Sequence, residues 1–243
     1  MEQNKTGKYF KYAIGEIILV VIGILIALQI NNWNEQRKNS KQELILLKQL
    51  QTDISTNRDN VIELNERLNI NKVGVDSLIL RLDKKQNDLK FMLFLSQTMR
   101  KSDFNKASSG YNIMQNGKVS LISNENILKS VLNIYENDLP DIIDRQGVMN
   151  NRIDQIQNQF INKLFALASN NWNVKFNNYD VVATELFEPL DFDTLSQNIE
   201  FKNTLIQLRK LIEARLAYLK ITENKLMKTI ELLDSKTKLN LHD

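Results

Sequence analysis

The chain has no cysteine, a single histidine, two prolines and seven glycines in 243 residues. Without cysteine there are no disulfides and no thiolate to act as nucleophile or metal ligand. That absence does not fix the compartment, because bacterial proteins on either side of a membrane often lack cysteine. The lone histidine, His242, is the penultimate residue, in a tail expected to fray, so histidine acid–base chemistry is not expected. Few glycines and prolines, beside abundant Leu, Ile, Lys, Glu, Gln and Asn, exclude a turn-rich sheet protein and predict helices with short connections. An excess of one charge is missing as well. Thirty-two bases face 29 acids, a net charge of +3, spread along the chain and leaving no basic face for a phosphate backbone. Nucleic acid is therefore not an expected partner.

Motifs that carry chemistry are absent too. There is no P-loop, GxGxxG, GxSxG or HExxH string and no paired ExxH on facing helices. Ser108-Ser109-Gly110 reads as a helix start rather than a nucleophile, having no histidine partner. Glu188, Asp191 and Asp193, near Pro189, offer oxygens to calcium, but they lack EF-hand spacing and also mark a solvated turn. No catalytic residue, metal or cofactor is expected, and the chain does not read as an enzyme.

One long hydrophobic run is present. In "YAIGEIILVVIGILIALQINNWNEQRK", Tyr12 to Lys38, the only strongly polar residues between Ala13 and Ile30 are Glu16 and Gln29. The apolar span is about 18 residues, or about 27 Å as a helix, enough to cross a bilayer. A cleaved signal peptide would be shorter and would end in a small-x-small site, and a core helix would keep a polar face; this segment does neither. An uncleaved transmembrane helix over 12–33 is expected, after a short tail at 1–11 and before an extramembrane domain at 34–243. Tyr9, Phe10 and Tyr12 would lie at one interface and Trp33 at the other. Lys5, Lys8 and Lys11 balance Arg37, Lys38 and Lys41, so charge alone does not orient the helix. Long domains translocate largely regardless of charge, which favours the N-terminus inside and the bulk of the chain outside, in the periplasm of a bacterial inner membrane.

The segment "KYAIGEIILVVIGILIALQINNWNE" (Lys11 to Glu35) resembles the N-terminal signature of an uncharacterised family of single-pass membrane proteins common in Bacteroidota, a domain of unknown function (DUF6090). "SSGYNIMQNGKVSLISNENILKSVLNIYE" (Ser108 to Glu136) resembles that family's middle section. The resemblance implies an anchor followed by a helical domain. Relatives begin with a more basic leader, which supports an inside N-terminus, whereas "MEQNKTGKYFK" is only mildly basic. No activity is known for the family, so none carries over.

Beyond the membrane, Leu47, Ile54, Val61, Leu68, Val75 and Leu82 recur every seventh residue, joined by Leu50, Leu64 and Leu78. This heptad stripe predicts a helix of about 70 Å from Lys38 to Lys84, with Gly74 as its local breaker. It fits an intramolecular bundle, or a parallel coiled-coil stalk with Asn57 and Asn71 setting register. Leu89 to Met99 is too short to span a bilayer and reads as a core helix. Asn116-Gly117 stops a helix, and Ser123 or Asn124 caps the next, to about Glu136. Pro140 suits the first turn of another, with apolar repeats from Ile142 to Leu167 and an end near Asn170-Asn171. Trp172 to Asn198 reads as irregular. A last helix carries Phe201, Leu205, Leu208, Ile212, Leu219, Leu226, Ile230 and Leu233 and returns alongside the first. The expected fold is all-α, an N-terminal transmembrane helix followed by an elongated helical bundle.

Two functions fit this pattern. One is a membrane-anchored interaction or scaffold protein; the other is a ligand sensor acting through a partner protein. The lipid bilayer is the expected partner, together with a second copy or an envelope protein met through the membrane helix. At 100° per residue, Glu16, Val20, Gly23 and Ala27 fall within about 40° of one line, and Gly23-x-x-x-Ala27 is a spacing that lets helices approach. Glu16 could hydrogen-bond across such a contact or snorkel to headgroups. Gln29 lies off that line and reaches the opposite interface.

Overall fold

A computed structural model describes residues 5–176 and 179–239. The first helix, α1, runs unbroken over Lys5–Asp83, 79 residues, or about 118 Å at 1.5 Å per residue. The apolar segment, the Asn-rich junction and the heptad stripe therefore form one helix, which already begins inside the expected N-terminal tail. Asparagine costs well under 1 kcal/mol per helical position, about 0.7, too little to break a helix propagating from both sides.

After a turn in which Lys85 has a φ of 51°, α2 (Leu89–Thr98) is capped by Asp88, whose carboxylate accepts the Phe91 N–H at 2.9 Å. An extended segment leads to α3 (Ser109–Gln115), closed at Asn116 with Gly117 at φ +93°. Asn124 then caps α4 (Glu125–Asn133) by accepting the Asn126 and Ile127 N–H groups. The chain does not stop at Glu136. A wide π turn over Ile134–Asp138, in which the Leu139 N–H donates to the Ile134 carbonyl, passes directly into α5 (Leu139–Ile156). Pro140 thus sits inside a continuous helix, and the extra residue of the π turn accommodates a ring that would otherwise meet the preceding turn. A second π turn, Gln157–Ile161, leads into the short α6 (Asn162–Leu164).

The helix expected to reach Asn170-Asn171 ends earlier, and the region expected to be irregular holds a β-hairpin. Strands β1 (Phe165–Phe176) and β2 (Tyr179–Pro189) pair antiparallel, from Phe165 opposite Pro189 to Phe176 opposite Tyr179. The register shifts between Ser169 and Trp172, so Asn170-Asn171 falls at a bulge rather than a helix end. Leu167, counted above on a helix stripe, lies in β1 and is exposed. Asp191 caps α7 (Phe192–Gln197), and α8 (Ile199–Leu239) closes the fold.

Three long helical rods, α1, α4–α6 and α8, make the frame among the described residues. Asp83–Lys202, Asp76–Arg209 and Lys72–Glu213 are ion pairs, and Gln51 bonds Asp234; residue numbers rising on α1 fall on α8, so the two run antiparallel. On α4–α6, Asp138 meets Lys225, Gln146 meets Arg215 and Arg152 meets Gln207, again antiparallel to α8. The heptad residues Leu47, Ile54, Val61, Leu68, Val75 and Leu82 are all buried and join the core with Phe201, Leu205, Leu208, Ile212, Leu219, Leu226 and Leu233. The intramolecular bundle is thus the arrangement in which the stripe is spent. Gly74 breaks nothing: it lies within α1 against α2, where a Cβ would come 2.9 Å from Thr98 Oγ1. The fold is all-α in its frame, with one apolar N-terminal helix followed by the bundle and its hairpin.

Candidate functional site

From Glu16 to Lys41 every residue of α1 is exposed, although an 18-residue window here has a mean hydropathy of 2.3 and none of it is buried. A core helix of that composition would be covered. From Ile14 to Ile30, twelve Ile, Leu and Val side chains facing solvent on all sides match a helix long and apolar enough to cross a membrane. At its far end the Arg37 guanidinium lies 5.7 Å from the centre of the Trp33 ring, a cation–π pair suited to a headgroup boundary. Glu16, Val20, Gly23 and Ala27 all lie on this helix and are exposed, and a Cβ added at Gly23 would meet nothing within 4 Å. The helix brings the four to one face, with nothing among the described residues packed on it.

At Glu43 the surroundings invert. The Glu43 carboxylate, 6% exposed, accepts the Ser123 N–H at 2.7 Å and its hydroxyl at 2.8 Å. Further along the same helix, Asp53 accepts the Ser109 hydroxyl at 2.8 Å and the Gly110 N–H at 2.6 Å. Gly110 is required there, because a Cβ would lie 2.9 Å from backbone atoms of Gln49 and Leu50. Asn57 donates to the Ala107 carbonyl and accepts its N–H, both at 2.8 Å, and donates to the Tyr135 hydroxyl at 3.3 Å. Burial, with the Asp53 charge beside it, pushes Tyr135 above the usual tyrosine range, so it stays protonated and stacks on Tyr111 with centroids 4.3 Å apart. Asn57 therefore ties the 100–110 segment to α1 and has no part in a stalk register.

A further polar seam lies where α5 crosses α8. Arg215 is 2% exposed yet meets no carboxylate: it donates to the Arg145 carbonyl at 3.1 Å and to Gln146 Oε1 at 2.7 Å. Burial and the neighbouring Arg145 charge lower its pKa to about 10. Arg145 instead pairs with Asp141 and stacks on Tyr218, 4.4 Å from its ring centre. Sequence reasoning missed this seam, since its members are charges at unremarkable helical spacing.

The segment after α2 leaves a cleft against α1. It holds two pockets, one of about 430 Å³ lined by Asn60, Glu63, Leu64, Asp103, Phe104 and Asn105, and one of about 240 Å³ lined by Asn71, Gln97 and Arg100. Arg67, Lys101 and Ser102 border both. Across the cleft, Asn60 donates to the Asn105 carbonyl at 2.9 Å.

Residues 16–188 match the family described as "Family of unknown function (DUF6090)", a span that takes in most of the apolar stretch of α1, the cleft and nearly all of the hairpin. The chain belongs to the DUF6090 family. No curated protein and no solved structure matches it. The DUF6090 match stops at β2, so α8, which supplies one side of the core, lies beyond the matched residues.

The remaining expected candidates fall elsewhere. Asp191 accepts the Thr194 N–H and hydroxyl, bonds that hold its carboxyl below the usual range; it is a helix cap. His242 lies outside the described residues. Among the described residues no cluster of three His, Asp or Glu side chains is placed to hold a metal ion.

Proposed function

We propose that this chain is a single-pass anchor protein of a bacterial inner membrane, with its N-terminus inside and its bundle in the periplasm, serving as a non-enzymatic scaffold for an envelope partner. The observation that carries this reading is the continuity of α1: the exposed apolar stretch passes into the buried heptad stripe without a break. A rod of that kind fixes the bundle at a set height and rotation relative to the bilayer. Glu16, Val20, Gly23 and Ala27 are the surface through which the rod would meet a second copy or a partner's membrane helix. Protease added to intact spheroplasts tests the topology and should digest the residues after Asn34. If Lys48 to Leu239 stays protected until lysis, the bundle faces the cytoplasm.

The second reading, a ligand sensor acting through a partner, is favoured by the cleft, since one of its walls is α1 itself. A ligand that shifted α1 against the 97–105 segment would move the membrane helix with it. Fold by itself does not choose between the two. Association with the envelope partner that changes on ligand addition would select the sensor.

A further inference from the structure

The end of the bundle nearest the apolar stretch of α1 is built from three separate parts of the chain. Ser123 bonds Glu43 through its N–H and its hydroxyl, which sets the turn between α3 and α4 at the start of the buried part of α1. Gln51 bonds Asp234, and α8 runs antiparallel to α1, so Lys236 and Lys238 lie on the near side of that bond. Arg37, Lys38, Lys41 and Lys48 reach the same end along α1 itself. Only the fold brings Lys118, Lys236 and Lys238 to join them.

Positive charge is concentrated at this end. Its described residues, 34–51, 116–129 and 234–239, hold eight bases and four acids. By difference from 32 and 29, the rest of the chain holds 24 bases and 25 acids. Three of the four acids are already engaged: Glu43 is buried on Ser123, Asp234 is bonded by Gln51, and Glu125 pairs with Lys129. Lys38, Lys41, Lys118 and Lys238 are exposed and enter no ion pair among the described residues.

We propose that this basic end of the bundle docks on the anionic lipid headgroups of the bilayer in which α1 is anchored. Lys41 lies eight residues beyond Trp33, about 12 Å along the helix axis, and the headgroup layer takes up about 5–7 Å of that. The gap left is shorter than the Debye length of about 8 Å at physiological ionic strength, so the lipid phosphates act on these ammonium groups with little screening. Flexible lysine stems shorten the gap further. Lys118 stands near the level of Glu43, and Lys236 and Lys238 stand one to two turns higher, away from the axis of α1. A tilt of the rod of about 20°, ordinary for a membrane helix, lowers one side of the base. Because α1 is unbroken from Lys5 to Asp83, the base cannot swing away from the surface. An acidic protein would offer the same charge, but the bilayer is the surface against which the rod holds these bases.

The proposal rests on the membrane anchor argued above, and one experiment separates the two. The full chain is reconstituted into vesicles of equal parts phosphatidylcholine and phosphatidylglycerol, and electron paramagnetic resonance of trace spin-labelled lipid reports which headgroup the protein holds. Phosphatidylglycerol should be preferred by about fivefold or more, fivefold being the ratio equivalent to about 1 kcal/mol for one base at an anionic surface. Molar salt should abolish the preference. Lys118→Gln, Lys236→Gln and Lys238→Gln together, all outside the core, should lower it severalfold. Lys84→Gln, Lys90→Gln and Lys163→Gln together, exposed bases at the opposite end of the bundle, should leave it unchanged. An unchanged preference in the first triple variant would leave Arg37 and Lys38 as the ordinary flank of a membrane helix and overturn the docking face, as would equal loss in both triple variants. A chain that inserts but prefers neither lipid removes the docking face and leaves the anchor; a chain that does not insert removes both.

Discussion

The two halves of α1 share backbone geometry and an aliphatic vocabulary yet solve opposite problems. Between Glu16 and Lys41 apolar side chains point in every direction and are exposed; between Glu43 and Leu82 the heptad stripe is buried, and only Ile45, Val73 and Leu80 are exposed among the large apolar residues off it. Polar residues invert as well. In the first half the acid Glu16 is exposed and a Cβ at Gly23 would meet nothing among the described residues, whereas in the second Glu43, Asp53 and Asn57 are buried and bonded to named backbone groups. The comparison teaches that helix period alone assigns no solvent. The angular width of the apolar face does, and it narrows at Asn31-Asn32-Trp33-Asn34 with no change in the helix.

The sharpest way to break this comparison is to truncate a leucine in each half. Leu50 is fully buried and Leu25 is 58% exposed. Leu50→Ala should cost about 2–5 kcal/mol of bundle stability, through lost burial and the cavity left behind. Leu25→Ala should leave bundle unfolding unchanged. Urea denaturation of the full chain in detergent, followed by circular dichroism, measures both. Equal losses would mean that the first half packs on protein and that the two-solvent reading is wrong.

A smaller effect separates the acids. Asp53→Ala leaves the Gly110 N–H buried without its acceptor and should cost about 1–3 kcal/mol. Amide hydrogen exchange should quicken at Gly110 and in the 107–110 segment that Asp53 and Asn57 tie to α1. Glu16→Leu should change neither quantity. If Asp53→Ala is neutral in both measurements, the polar contacts along α1 do not hold that segment, and the cleft loses its fixed wall.

Much of this was legible in the sequence because strong periods report directly on burial. The stripes from Leu47 to Leu82 and from Phe201 to Leu233 placed α1 against α8, and Asn124 and Gly117 sit where local cap and turn chemistry puts them. What failed were rules that treat a residue as a stop. Gly74 lies within α1, and the helix expected to end near Glu136 runs on through a π turn into α5, because tertiary packing and helix cooperativity outweigh a local penalty of about 1 kcal/mol. The hairpin was hidden by the same error, Asn170-Asn171 being read as a helix end. Its signal was available in the β-branched run Val181-Val182 and Thr184, which favours a strand. The buried Arg215 and the cleft carried no sequence signal, since each depends on which helix faces which.

The smallest expected effect concerns the membrane face itself. Gly23 has open space where a Cβ would be, so Gly23→Ile is free of steric cost within the chain. Any consequence must then come from another helix. Contacts through small residues and a shared polar group in a bilayer are worth about 0.6–2 kcal/mol, a few-fold to roughly thirtyfold in association. A membrane two-hybrid assay should show Gly23→Ile weakening association by that factor and Glu16→Leu by a similar or smaller one, because a carboxyl near the headgroups can also be satisfied by water. Ile22→Leu lies about 100° around the helix from Gly23 and should be silent. Equal association in all three variants would leave Glu16 a snorkelling charge and reduce the first half of α1 to a plain anchor; selective weakening would make this face a binding surface in lipid, as the Leu47–Leu82 stripe is in water.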